Sequence, residues 1–308
     1  MKSFLKNILF GSNLPQEYIC LAEKGIANPL KVTFISGDYK AEVSGSHLFI
    51  GYKPVVMGIV LPADVNPPIG ELSFDFNGTR IARLGLKLES VKPFSDKQLA
   101  VFISGHGSHS FVNPLQKHLN VHHQKLQKKK LGNVNLPGNL YEQVKIAYSV
   151  PRRICLITLG ENNLYNMFPT DLHGMIDNEN YIISLRSDGK ANTQVSQMKK
   201  IVLSKMSLSR YRYVYSLGKN HMQELKPREN FEMEGESGLF RLPLPVGAVE
   251  YLELEHRSSV PVGIHNLNFF KIVNHKTLAA NEPVLAHVHK EYLSWLLRKG
   301  EKVDYLLR

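Results

Sequence analysis

Between residues 30 and 104, short apolar runs alternate with turn residues. LKVTFIS, YKAEV, HLFIG, VVMGIVL, GELSFDF, RIARLGLKLESV and LAVFIS are rich in Val, Ile, Leu and Phe. SGD, SGS, PADVNPP and NGT separate them, which is the turn chemistry of short antiparallel strands. RIARLGLKLES alternates apolar and polar residues, so one face of that strand is expected to be wet. The pattern predicts a small all-β unit of about six or seven strands.

The pattern changes at FVNPLQKHLNVHHQKLQKKK, residues 111–130. Pro114 suits a helix start. Leu115, Leu119 and Leu126 share one face, while Lys117, Lys125 and Lys128–Lys130 crowd the others. LGNVNLPGNL, residues 131–140, has a linker's composition. The expected division is therefore an N-terminal β-rich domain over 1–130 ending in a basic helix, a linker over 131–140, and a second domain over 141–308. The first residues, MKSFLKNILFGSNL, read as a short amphipathic helix rather than a secretory signal, because a lysine interrupts the apolar run.

Strand-like runs return in the second half. ICLITL meets the turn GENN and an arm, LYNMFPTDLHG, that carries Asn166, Pro169, Thr170 and Asp171. YIISLR, the turn SDGKANT, the helical QVSQM and the strand KIVLSKM follow. SRYRYVYSLGKN alternates Tyr211, Tyr213 and Tyr215 and fits a strand as well as a helix. EMEGESGLFRLPLPVG reads as loop, AVEYLELEHRS and HNLNFFKIVNHKTL as strands. PVLAHVHKEYLSWLLRKG reads as a C-terminal helix between Pro283 and Gly300.

Composition narrows the function classes. The chain has 308 residues, is 43% hydrophobic and 21% charged, and carries a formal charge of +11. Residues 1–140 hold 16 Lys+Arg against 9 Asp+Glu, so most of the excess lies in the first half. That favours an acidic protein partner. The basic run lacks the interleaved aromatics and arginines of base stacking, so nucleic acid is not the expected partner. The default for this run is a solvated helix face. Cys20 and Cys155 make no disulfide framework and fit a reducing cytoplasm. No apolar stretch has the length of a membrane span. His118 and His122 have metal-ligand spacing but no intervening carboxylate and several lysine neighbours, so no metal site is expected. GHGSHS (105–110) reads as a turn and HVH (287–289) as helix surface.

From about Tyr141 to Trp295 the chain resembles the flavin reductase family, the FMN-binding split barrels. AYSVPRRICLITL is similar to the family's opening segment, and GENNLYNMFPTDL to its second strand, with an Asn followed by Pro and Ser or Thr. YIISLRSDGKANT resembles the strand and loop that contact the phosphate. LPLPVGAVEYLELEHRSSVPVGIHNLNFFKIVNHK resembles the closing hairpin. The resemblance implies a mainly β chain whose second half is a split barrel. It implies a homodimer with non-covalent FMN at the interface, reduced by NADH or NADPH. The cofactor would supply the hard chemistry while protein groups orient it.

On that resemblance Asn166, Met167, Phe168 and Thr170 would meet the flavin. Asn166 and Thr170 lie four apart, on one face of a strand. Arg186, Lys190 and Thr193 would hold the phosphate, with help from the N-terminus of a helix beginning near Ala191 or Asn192. His265 would face the ring and the nicotinamide. From the residues alone, Asn166 and Thr170 fit a solvated rim, the 186–193 turn an ordinary surface loop, and His265 a half-buried structural histidine. The family's small residues are replaced by Met167 and Phe168. Asp171 stands where a neutral residue would suit a phosphate better, and Ile264 replaces the usual Asp before His265. These departures keep a second reading open, a flavin-binding or scaffolding dimer without turnover. In a third, the N-terminal unit docks a redox partner and the barrel serves as its flavin carrier.

Overall fold

The computed structural model describes residues 8–126 and 134–308. The first seven residues, Lys128–Lys130 of the basic run and the start of the 131–140 segment lie outside the described residues. The chain is mainly β, built from antiparallel sheets.

The seven runs read between residues 30 and 104 all form strands of one antiparallel sheet. Its spatial order is Tyr39–Glu42, Lys31–Ser36, Ile69–Phe76, Thr79–Phe94, Lys97–His109, Val55–Pro62, Leu48–Tyr52. Thr79–Phe94 and Lys97–His109 form a long hairpin whose register shifts at Gly85/Leu86 and again at Leu88/Ser90. Such bulges bend and twist a ladder. GHGSH, expected as a turn, continues the second arm of this hairpin. Its glycine has a packing reason: a Cβ on Gly107 would meet Gln143 Cγ at 2.9 Å and Ile146 Cδ1 at 3.0 Å. The helix Asn139–Ala147 sits directly on that glycine. The Asn139 side chain bonds both the Gly107 N–H (2.7 Å) and its carbonyl (2.8 Å).

Eight strands form the second large sheet, in the order His173–Met175, Asn180–Arg186, His265–Thr277, Ala248–Val262, Lys200–Met206, Cys155–Glu161, Leu164–Thr170, Lys226–Pro227. Its two edge strands do not pair with each other, so the sheet stays open rather than closing into a barrel. EMEGESGLFRLPLPVG, expected as loop, contains a small ladder of Met233–Glu236 with Pro243–Pro245. The tyrosine-rich segment is helical: Leu208–Arg210 is a 3-10 turn and Tyr211–Ser216 an α-helix.

A third sheet joins distant parts of the chain. Tyr18–Ile26 lies between Val303–Leu306 and Leu285–His289, and the latter also pairs with Arg152–Arg153. The C-terminal segment expected as one helix is therefore a strand, Leu285–His289, followed by the helix Lys290–Arg298. His289 ends the strand and caps the helix, its ring nitrogen accepting from the Glu291 N–H.

The core follows from this topology. Val32, Phe34, Leu72, Phe74 and Phe102 of the first sheet share one buried cluster with Val144, Ile146 and Ala147 and with Tyr292, Leu293 and Leu296. Residues before 131 and after 140 thus close one apolar interior. The opposite face of the first sheet packs Leu48, Ile50, Val56, Leu99 and Val101 against Ile182, Val262, Leu267 and Phe269 of the second. Strand Leu48–Tyr52 is buried on both faces, and so reads as a continuous apolar run rather than an alternation. The second sheet's other core contains Ile157, Phe168, Ile183, Val195, Leu203 and Phe270. Cys20 and Cys155 are free and buried. Among the described residues, no helix is long and apolar enough to cross a membrane.

Candidate functional site

The segment YIISLRSDGKANT builds the rim of a hollow. Strand Asn180–Arg186 pairs with His265–Thr277 so that Arg186 stands opposite His265. The chain then turns through Ser187–Gly189 into the helix Lys190–Met198, which begins one residue earlier than the expected Ala191. The Ser187 N–H and hydroxyl both donate to the Ile264 carbonyl, at 3.0 and 3.1 Å. No side chain caps the helix N-terminus. The Asn192 N–H turns back to the Gly189 carbonyl at 3.1 Å, so the Lys190 and Ala191 amides are the ones an anion could meet.

The other wall comes from the first sheet. The hairpin of Leu48–Tyr52 and Val55–Pro62 carries its turn, Lys53–Pro54, against the Gly263–Ile264 turn. The Ile264 N–H donates to the Lys53 carbonyl at 3.2 Å. Gly263 has φ +60°, and a Cβ there would lie 2.4 Å from both the Lys53 oxygen and Pro54 Cδ. Only glycine permits this approach. The hollow between these turns has a volume of about 460 Å³ and is lined by Lys53, Val134, Asn135, Arg186, Ser187, Asp188 and Ile264. That is within the usual range for small-molecule sites.

Charge in the hollow is mixed. Arg186 grips Asp188 through Nε (3.0 Å) and Nη2 (2.6 Å). This pairing holds the Asp188 carboxyl below its usual range, and the Arg186 guanidinium above its own. His265 is fully buried below the rim. Its Nε2 accepts from the Tyr52 N–H at 3.4 Å, its Nδ1 lies 3.2 Å from Ser184 Oγ, and the Tyr52 ring meets it edge-on at 4.5 Å. Burial, followed by the nearby Arg186 charge, pushes the imidazole down to about 4. The ring is therefore neutral at physiological pH, and its Nε2 holds the 52–53 turn through the Tyr52 N–H.

The remaining residues singled out in the sequence are placed as follows. Asn166 is 1% exposed, and its amide donates to Gln194 Oε1 (2.7 Å) and to the Asn220 (3.0 Å) and Gln223 (3.4 Å) carbonyls. It binds the strand to the underside of helix Lys190–Met198. Met167 and Phe168 are fully buried in two different clusters, on opposite faces of the strand. Thr170 is buried at the strand's end. Lys190 is ion-paired with Glu224, and Thr193 is exposed on the helix. The structure thus brings Arg186 to the hollow and Lys190 and Thr193 to the helix that follows it. Asn166, Met167 and Phe168 face protein. His118 and His122 have rings 4.6 Å apart, and no group of metal ligands occurs among the described residues.

Sequence reasoning missed Lys53 and Tyr52, which carry no local motif. It also missed a buried polar chain around Asp171. The Tyr148 hydroxyl donates to Asp171 Oδ2 at 2.6 Å, and His287 Nε2 lies 2.8 Å from the same oxygen. His287 Nδ1 lies 2.8 Å from the Tyr215 hydroxyl. Burial works to raise the Asp171 carboxyl, but bonds from His287 and Tyr148 outweigh it and leave it below the usual range. HVH, expected on a helix surface, is instead a buried strand end: His287 is 6% exposed and His289 wholly enclosed.

No protein-family model and no curated protein matches the sequence. Among solved structures the chain is similar to an FMN-binding protein from Thermus thermophilus with bound p-hydroxybenzaldehyde, at 14% identity and a TM-score of 0.42. The match covers 53% of this chain and 97% of that one. It is similar to a NADH:FAD oxidoreductase from Streptomyces globisporus C-1027 at 13% identity and a TM-score of 0.42, covering 52% and 94%. The styrene monooxygenase flavin reductase from Pseudomonas putida S12 matches at 18% identity and a TM-score of 0.38, covering 46% and 90%. Likeness at this level leaves any functional argument to the chain's own residues.

Proposed function

We propose that this chain binds a flavin mononucleotide and works as a flavin-dependent oxidoreductase. The observation that carries the reading is the hollow at the Arg186–Ser187 turn, where a guanidinium adjoins an uncapped helix N-terminus. Those donors suit the phosphate of FMN. The phosphate end fits the residues present. Val134 and Ile264 give the hollow an apolar side that a ring can cover.

A bound flavin supplies hydride acceptance from NADH or NADPH and onward electron transfer. The chain's own residues bind and orient. Arg186 exchanges Asp188 for the phosphate, Lys190 and Thr193 stand on the adjoining helix turn, and His265 holds the 52–53 turn in place. A second copy of the chain is the expected partner at the ring, and the +11 charge suits an acidic acceptor protein.

The test is a titration of the purified full chain with FMN, followed by flavin fluorescence, and then nicotinamide oxidation with FMN present. Binding near one FMN per chain is expected. Arg186→Ala should weaken it by about tenfold or more, since a charge-assisted bond is lost. A chain that binds no flavin sinks the reading. Asn166, Met167 and Phe168, which resemble the family's ring contacts, face protein here and favour a second reading, flavin binding or dimerisation without turnover. FMN binding with no nicotinamide oxidation would select it.

A further inference from the structure

We infer that Lys53, from the N-terminal sheet, is the second cation of a two-sided phosphomonoester clamp with Arg186, so that the N-terminal unit completes the ligand site. This rests on the flavin reading for the identity of the ligand, but not for the clamp itself.

Lys53 is half-buried at the wall of the hollow. Among the described residues its ammonium makes no ion pair or hydrogen bond, whereas the Arg186 guanidinium across the hollow is held by Asp188. An ammonium at a concave wall with no counterion beside it is open to an incoming anion. Without Lys53 the hollow would be neutral, because Asp188 offsets Arg186. With it, the hollow has a net positive charge. The position is fixed by main chain rather than by chance contact. The Lys53 carbonyl takes the Ile264 N–H, the Tyr52 N–H is held by His265, and Gly263 lets the two turns touch. Ser187, hydrogen-bonded to that same Ile264, sets the Arg186 side against the Lys53 side. Two elements from opposite halves of the chain are thereby held on the two sides of one hollow.

The clamp makes the site selective for a phosphorylated ligand. FMN should bind at least tenfold more tightly than riboflavin. Lys53→Met, which keeps the stem and every main-chain bond, should remove that preference and leave riboflavin affinity unchanged. Lys53→Arg should restore it. The experiment titrates the wild-type chain, Lys53→Met, Lys53→Arg and Arg186→Met with FMN, riboflavin and inorganic phosphate, with circular dichroism reporting the fold of each. Loss of the FMN preference in Lys53→Met with rescue by Lys53→Arg supports the clamp and the flavin reading together. FMN binding by Lys53→Met equal to wild type, but lost in Arg186→Met, overturns the clamp and keeps the flavin reading. A wild-type chain that binds neither flavin but binds inorganic phosphate in a Lys53-dependent way keeps the clamp and overturns the flavin reading. A chain that binds none of the three overturns both.

Discussion

Two polar clusters use the same residue types in opposite ways. Around Lys145, between helices Asn139–Ala147 and Lys290–Arg298, the central cation lies between two anions. Lys145 is fully buried, 2.8 Å from Glu142 and 2.9 Å from Glu291, with its ammonium over the Tyr141 ring at 4.5 Å. His109 adds a contact of 2.8 Å to Glu142, and Asn120 donates to Glu291 at 3.0 Å. Around the hollow, Arg186 has a partner and, among the described residues, Lys53 has none. The first cluster is closed and joins helices across the shared core. The second is open and lies where a ligand can enter. The contrast teaches that perturbed or buried charge alone does not single out a site here; the proposed site is distinguished by an unpaired group at a concave surface.

The largest expected effect tests the closed side. Lys145→Ala leaves Glu142 and Glu291 enclosed without their cation, which should lower stability by about 3–5 kcal/mol. Urea unfolding measures this, and a loss below about 1 kcal/mol would place Lys145 among ordinary surface ions and break the comparison. Gly263→Ala comes next. It forces a Cβ into the Lys53 carbonyl at positive φ, which should cost about 1–3 kcal/mol and also weaken FMN binding by separating the two turns. A variant destabilised but unchanged in affinity would detach the turn contact from the site.

Acid should act through three buried histidines. Burial comes first in each case, and a nearby arginine adds to it: His47 is pushed down to about 3, with Arg152 Nη2 at 2.9 Å, and His173 and His265 to about 4. The unfolded chain takes up protons below 6.5, while the folded chain keeps these rings neutral. Stability should therefore fall as pH drops from about 6.5 towards 4. Asp171, whose folded value is lowered, should add a loss only further down, as pH falls through its own range. Urea midpoints across this range give the slope, and His265→Asn should flatten part of it. The smallest effect sharpens the open side. Asp188→Asn frees Arg186 and removes a carboxylate from the hollow, so FMN affinity should rise a few-fold, limited by solvent screening. A fall in affinity would mean that Asp188 positions Arg186 rather than competing with the ligand.

Much of the architecture was legible in the chain. The seven runs of the first sheet, the turn-rich separators and the helix beginning at Pro114 follow from local periodicity and turn chemistry. Where reading failed, tertiary packing overrode a local cue. GHGSH has turn composition, yet Gly105 and Gly107 sit in a strand, and Gly107 is where a helix must approach closely. HVH looks like the start of a helix because the helix begins at the next residue; pairing with Tyr18–Ile26 and Arg152–Arg153 makes it a strand. Of the proposed site, Arg186 and its turn were singled out in the sequence through the family resemblance. Lys53 and Tyr52 were not, because nothing near them in sequence signals a ligand.

Taken alone, the sequence determined most strands of the two large sheets, the turns that interrupt them and that the chain carries excess positive charge. These are properties of neighbouring residues, set by side-chain period and by the backbone freedom of Gly, Pro, Asn and Asp. Only the tertiary structure decided which charges end with partners. Tyr52 meets His265 across 213 residues, and Lys145 meets Glu291 across the shared core. Such contacts depend on how whole sheets and helices pack, and no local pattern encodes them. The same packing that buries Lys145 between two carboxylates leaves Lys53, among the described residues, facing the hollow without one.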